Sequence, residues 1–277
     1  MTNRPLEGLR VLDLTSVVVG PTCTWRLGQY GAEIIKVEAP EGDLMRGLGG
    51  LSPTGQHSGT YLHLNRGKRN ICLDLKKPSA MGIVDRLLET VDVVVANMRP
   101  KALERLGLDA KTLRTRHPRL IHCLVTGYGT DGPYSGRPTY DSVVQGASGI
   151  AGLFGTRDGT PAYVPLVVCD HVVGEIAAGA ILAAVVARNS SGEGSSLEIP
   201  MFETMAAFVL QEHLAQTSFD PPDTSLALCS ISVLTSEEAL AADCARRRTS
   251  TATTAKPLPA SPARAASTEA LRASRLV

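Results

Sequence analysis

The sequence predicts an α/β fold with a mostly parallel, doubly wound sheet. Three observations carry that expectation. Strand and helix signals alternate over the first two thirds of the chain. The runs 9–14 and 91–98 are rich in Val and Leu and read as buried strands, which suits a parallel sheet covered on both faces. Gly and Pro punctuate the runs where the chain must turn.

The elements follow in order. LRVLDL, residues 9–14, reads as a buried strand, and Gly20-Pro21 leads into a helix over TCTWRLGQYGA. EIIKVEAP, residues 33–40, is a second strand stopped by Pro40. NICLDLK, residues 70–76, alternates like a half-buried strand, and PSAMGIVDRLLETV repeats apolar residues at helical spacing. VDVVVANM, residues 91–98, is a strand, KALERLGL a short helix ending in Gly107, and RLIHCLVTGYG another strand. TYDSVVQGASGIAGL reads as one helix, and SSLEIPMFETMAAFVLQEHLA as a strand and a helix. Between them lies PLVVCDHVVGEIAAGAILAAVVAR, residues 165–188: a short apolar strand, one acid, and a long apolar helix opened by Asp170.

Composition narrows the function classes. The 277 residues are 43% hydrophobic, enough for a substantial core. A net charge of +1 and 4% aromatics give no basic stripe and no stacking platform, so no nucleic-acid partner is expected. The six cysteines are scattered without a CxxC pair, and no His stands at metal-ligand spacing. Reduced thiols, a cytoplasmic location and no metal are the expectation. The start, MTNRPLEGLRVLDL, lacks the pattern of a signal peptide, and the apolar run 176–187 is too short to span a bilayer, so no membrane is expected. The first strand–helix unit invites a dinucleotide, with Glu38 where a ribose-binding acid would stand. The turn reads VVVGPTCTW rather than GxGxxG, so NAD is not expected.

Beyond Phe219 the character changes. No glycine follows Gly194 and no aromatic follows Phe219. Stretches such as STATTAKPLPASPARAAS have no usable period and read as disordered. The expected organisation is a domain over 1–219 and an atypical low-complexity tail over 220–277.

Seven stretches in unbroken order now point to a family: LEGLRVLDLT, LGQYGAEIIKVEAPEGDLMR, LNRGKRNICLDLK, NMRPKALERLGL, RPTYDSVVQGASG, CDHVVGEIAAGAILAAVVAR and SSLEIPMFE. Together they resemble the family III CoA-transferases, typified by formyl-CoA and carnitine CoA-transferases. The resemblance implies a Rossmann-like large domain that binds coenzyme A without a GxGxxG loop, a small domain after it, and an interlocked homodimer. The sequence is similar to such a chain truncated or frameshifted after about Phe219, because the glycine-rich loop of the small domain has no counterpart here.

What the resemblance implies for the site is specific. Coenzyme A moves from an acyl-CoA donor to a carboxylic acid through an aspartyl anhydride and an aspartyl-CoA thioester, with Asp170 the nucleophile within the pattern Asp170 to Gly174. Read alone, an Asp at a helix start is also an ordinary N-cap. The helix N-terminus is expected to keep Asp170 ionised. Tyr140, followed by Asp141, is the transferase pattern rather than the His-Asp of the racemase branch, and is expected to orient the thioester or the acceptor; read alone, it is also an ordinary buried structural tyrosine. Lys68, Arg69, Asn97, Arg99 and Arg105 are the implied partners of the CoA phosphates, with Leu73 to Lys76 along the adenine and Val18 in the thioester pocket. The chain departs from the family where Val18 and Val19 replace a glutamine that some members carry, and where Ala39 replaces a basic residue. His171 is expected to pack or cap rather than act as a base, and Cys169 to be a buried strand residue. The competing readings are an acyl-CoA racemase and an inactive CoA-binding remnant.

Overall fold

In a computed structural model, which describes residues 4–213, the apolar runs become six strands. These are β1 (Arg10–Leu14), β2 (Glu33–Glu38), β3 (Arg69–Cys72), β4 (Val93–Ala96), β5 (Ile121–Thr126) and β6 (Ser196–Pro200). All pair parallel, in the order β3-β2-β1-β4-β5-β6. The chain winds outward from β1 to β3, then returns to β4 on the other side. The strand order therefore reverses between β1 and β4, and a crevice opens beyond their carboxyl ends.

The helices are α1 (Val19–Gln29), α2 (Gly59–Asn65), α3 (Pro78–Leu88), α4 (Pro100–Leu106), α5 (Ala110–Arg116), α6 (Asp141–Ala147), α7 (Ile150–Asp158), α8 (Val168–Ser191) and α9 (Met201–His213). Side chains alternate across the sheet, as a pleated strand requires. Val93 and Val95 pack with residues of α1, α6, α8 and α9, whereas Val94 and Ala96 pack with residues of α3, α4 and α5. Both faces are covered, which explains why β4 is apolar at every position.

The sequence expectations need four corrections. The run 165–169 is not a strand: α8 begins at Val168, so Val168, Cys169 and Asp170 form its first turn. The backbone there is occupied otherwise, since Val164 N–H donates to Gln145 Oε1 and Leu166 C=O accepts from Gln145 Nε2. The single helix expected over 139–153 is two, because Gly149 stands at φ 89 between α6 and α7. Strand β3 ends at Cys72, short of the expected Lys76. Helices α2 and α5 have no counterpart in the sequence reading. The tail, 220–277, lies outside the described residues.

Helix α8 has 24 residues and is long and apolar enough to cross a membrane by length and composition. It extends the expected apolar run at both ends. Its buried residues recur at Asp170, Val173, Gly174, Ala177, Ala178, Ile181 and Ala184, one face of a helix laid against the core. Gly174 permits that packing. A Cβ there would stand 2.7 Å from the Val19 carbonyl oxygen and 2.8 Å from Thr22 Cβ, so α1 and α8 meet backbone to backbone one turn after Asp170.

Candidate active site

A cavity of about 270 Å³ lies at the strand-order reversal. Its walls come from the segment after β1 (Ser16 to Val19), the segment after β4 (Asn97 to Pro100), the end of β5 and the residues beyond it, and the approach to α6 (Gly136 to Tyr140). Asp170 enters from the first turn of α8, and Met201 from the start of α9.

The β1 segment is held under tension. Val17 adopts φ 69, a left-handed conformation that a β-branched residue rarely accepts. Two side chains fix it there. Asn97 accepts from Ser16 N–H at 3.0 Å and donates to Ser16 C=O at 2.8 Å, while Asp43 Oδ1 accepts from Val17 N–H at 3.1 Å. The expected ligand residue Asn97 thus lines the cavity but uses its amide to fasten one wall to another.

Asp170 is 9% exposed, and its carboxyl is pushed up to about 7. Burial is the larger cause, and the neighbouring Asp141 adds to it. The expectation that the helix N-terminus keeps Asp170 ionised is overturned at this point. Asp141, at the start of α6, accepts the N–H groups of Cys169 at 2.7 Å and Asp170 at 3.1 Å. The donors that would stabilise Asp170 therefore serve another carboxylate. Cys169 is fully buried, in α8 rather than in a strand, and its thiol is pushed up to about 12 by burial, with Asp141 and Asp170 adding to it. His171 turns away from the cavity toward Thr22, whose Oγ1 is 3.4 Å from its Nδ1.

Of the expected site residues, the cavity brings together Asp170, Tyr140, Val18, Asn97 and Arg99. Val18 is buried, and Tyr140 is 68% exposed at the N-cap of α6. Leu73 stands just beyond β3 on the same carboxyl edge, its N–H donating to Glu38 C=O, with exposed Lys76 after it. Arg105 is exposed in the last turn of α4. Arg69 is exposed and pairs with Glu33 at 2.8 Å. Lys68 is not presented to the cavity. Its ammonium is buried against Asp13 Oδ2 at 3.0 Å, Thr24 Oγ1 at 2.8 Å, Asn65 Oδ1 at 3.0 Å and Pro21 C=O at 3.1 Å. Those acceptors already exceed its three protons. Glu38, the residue that invited a dinucleotide, accepts from Arg46, Tyr61, Asn70 and the Asp43 N–H.

Sequence reasoning missed Arg137, which lines the cavity and lies 4.3 Å over the Tyr134 ring without an ion-pair partner among the described residues. It also left Asp141 without a role. Among the described residues, no three His, Cys, Asp or Glu side chains are grouped to hold a metal.

A cavity at the switch point of a doubly wound sheet, with the buried carboxyl of Asp170 in its wall, defines an α/β protein with a candidate active site at the carboxyl ends of its strands. The comparisons make the assignment specific. The chain belongs to CoA-transferase family III, whose pattern it matches over residues 6–226. It is similar to succinate–glutarate CoA-transferase of Agrobacterium fabrum, at 39% identity over 77% of this chain and 56% of that one. It is similar to succinyl-CoA:glutarate CoA-transferase of Mus musculus, at 38% identity over 75% of this chain and 48% of that one. Its fold is similar to the crystal structure of a CAIB/BAIF family protein from Brucella suis, with TM-score 0.74 and 34% identity over 79% of this chain and 59% of that one. The chain thus spans about half the length of the curated relatives it matches.

Proposed function

We propose that the chain carries the nucleophile-bearing domain of a CoA-transferase that moves coenzyme A between an acyl-CoA and a carboxylic acid. The observation that carries this reading is Asp170: a buried carboxyl facing the switch-point cavity, without an ion-pair partner among the described residues. Family membership and the names of the relatives support it.

The chemistry follows from that position. Asp170 as carboxylate attacks the thioester carbonyl carbon, and the C–S bond breaks to release CoA thiolate, leaving a mixed anhydride. The thiolate attacks the Asp170 carbonyl of that anhydride and expels the donor acid as its carboxylate. The acceptor carboxylate then attacks the aspartyl-CoA thioester, and the returning thiolate takes the acceptor acyl group and frees Asp170. Each hard exchange is divided into easier displacements. A carboxyl that titrates near pH 7 suits the task, because its conjugate base is more nucleophilic than an ordinary aspartate yet still populated at neutral pH.

The exposed cations supply the remainder. Arg99 and Arg137 in the cavity, with Lys76 and Arg105 exposed outside it, are the groups we assign to phosphate and carboxylate oxygens. The Leu73 side chain is buried in the core and is not available to the adenine, which leaves the exposed Lys76 beyond it on that side, and Tyr140 orients the thioester. Lys68 and Arg69 are left to Asp13 and Glu33. Relatives that carry succinate and glutarate in their names make succinyl-CoA the first donor to try.

Acyl-enzyme trapping tests the proposal. The purified chain is incubated with succinyl-CoA and other acyl-CoAs, treated with hydroxylamine, and mapped by peptide mass spectrometry. A hydroxamate on Asp170, absent from Asp170→Ala, is expected. A folded chain left unmodified by every acyl-CoA contradicts the assignment.

A further inference from the structure

Asp141 takes no part in the steps above, yet its carboxylate touches the segment that carries Asp170. It is the first residue of α6 and is 7% exposed. Its Oδ1 receives the N–H groups of Cys169 and Asp170, and its Oδ2 receives Gln145 Nε2 at 2.5 Å. The same Gln145 amide donates to Leu166 C=O at 3.1 Å and accepts Val164 N–H at 2.8 Å. One turn of α6 therefore holds the whole approach to α8. A carboxylate at a helix N-terminus is itself well placed, since it meets free N–H groups and the positive end of the dipole. Asp141 takes that position, and Asp170, two residues into the helix, is left without it.

The surrounding charges do not alter this balance. On α8, Glu175 is bound bidentately by Arg26 of α1, and His171 faces Thr22. From β5 and α1 come the buried thiols of Cys123 and Cys23. Glu203 of α9 and Glu198 of β6 hold the N–H groups of Gly129 and Thr130. The cavity walls add Arg99, Arg137, Tyr128 and Tyr140. Among the described residues, no lysine or arginine forms an ion pair with Asp141 or Asp170.

We propose that Asp141 is a positioning residue for Asp170: it occupies the N–H groups at the start of α8, so that Asp170 meets the substrate as a weakly solvated carboxylate without those donors. The proposal rests on the reading of Asp170 as nucleophile, and it predicts a coupling that can be read without any substrate.

The test is a carboxyl titration of the full chain with 13C-labelled aspartate. In Asp141→Asn the amide oxygen still accepts the two N–H groups; in Asp141→Ala, equally uncharged, they are freed. The Asp170 midpoint is expected to lie lower in Asp141→Ala than in Asp141→Asn by about one unit or more, and the pH of half-maximal hydroxamate formation to fall with it. An equal Asp170 midpoint in the two variants overturns the proposal. Should either variant fail to fold, the native chain and Asp170→Asn answer the same question. The Asp141 signal is expected to show an inflection where Asp170 titrates, lost in Asp170→Asn. Its absence from the native chain overturns the proposal equally. A midpoint that shifts in a chain forming no hydroxamate upholds the coupling and contradicts the transferase reading instead.

Discussion

Two groups of buried acids stand near the carboxyl ends of the same strands, and they are treated in opposite ways. Asp13, at the end of β1, is fully buried, yet its carboxyl is held below the usual range. Burial alone would raise it, but Lys68 and Lys36 are beside it, and Thr15 and Thr24 donate to it at 2.5 and 2.6 Å. Lys36 faces Asp13 in strand register and ion-pairs with Asp43 at 3.0 Å. Asp170 has the burial without the cations, and its carboxyl rises. The first arrangement is a fastening, in which every charge has its counter-charge and the β1 segment is pinned through Thr15 C=O and Val17 N–H. The second leaves a charge unsatisfied, which is costly to the fold and useful to a nucleophile.

The fastening is the easier to break. Asp13→Ala strands Lys68 in the interior and removes a compensating charge from beside Lys36, which keeps Asp43, and we expect a loss of about 3–5 kcal/mol in urea unfolding. A loss under about 1 kcal/mol would show that the lysines find other partners and that the contrast is overdrawn. Glu38 offers a milder break. Burial raises its carboxyl, but hydrogen bonds from Arg46, Tyr61 and the Asp43 N–H outweigh that and bring it down to about 2. A depressed carboxyl contributes stability that is present above its unfolded value, near 4.5, and is lost as pH falls toward 2. We expect up to about 3 kcal/mol to vanish across that window in acid unfolding, and Glu38→Gln to flatten the curve.

Two smaller changes act on the cavity. Gly174→Ala should cost about 1–3 kcal/mol in thermal unfolding, because α1 and α8 must part to admit the methyl group. It should also slow Asp170 acylation; an unaltered rate would mean that the α1–α8 contact does not position the nucleophile. Asn97→Ala should cost about 1 kcal/mol and raise the KM for acyl-CoA more than it lowers kcat, since it frees the Ser16–Val17 wall rather than the reacting group. An equal fall in both would move Asn97 into the chemistry.

How far the sequence reveals this design depends on how local each part is. The sheet was legible because β4 is apolar on both faces, β5 is apolar on one, and the alternation with helices is regular. Asp170 was legible through the family pattern around it. The start of α8 was not: PLVVC is a short apolar run, and its length alone cannot separate a strand from the first turn of a buried helix. Asp141 and Gln145 decide it from α6, some twenty-five residues away in the chain. Lys68 was misread for the same reason. The NRGKRN stretch is polar and looks solvent-facing, and only the approach of β1 and α1 shows Asp13 and Thr24 waiting for its ammonium.

The most direct test of the contrast is the pH dependence of unfolding for Asp170→Asn against the native chain. In the native protein the carboxyl ionises near 7 rather than near 3.8. The folded state therefore binds the extra proton between those values, and stability falls as pH rises through that window. The two chains should be about equally stable near pH 4 and diverge by pH 8, where the variant should be more stable by between about 1 and about 4 kcal/mol. A variant that is equally or less stable at pH 8 would contradict the account, placing Asp170 with Asp13 among the acids that hold the fold together.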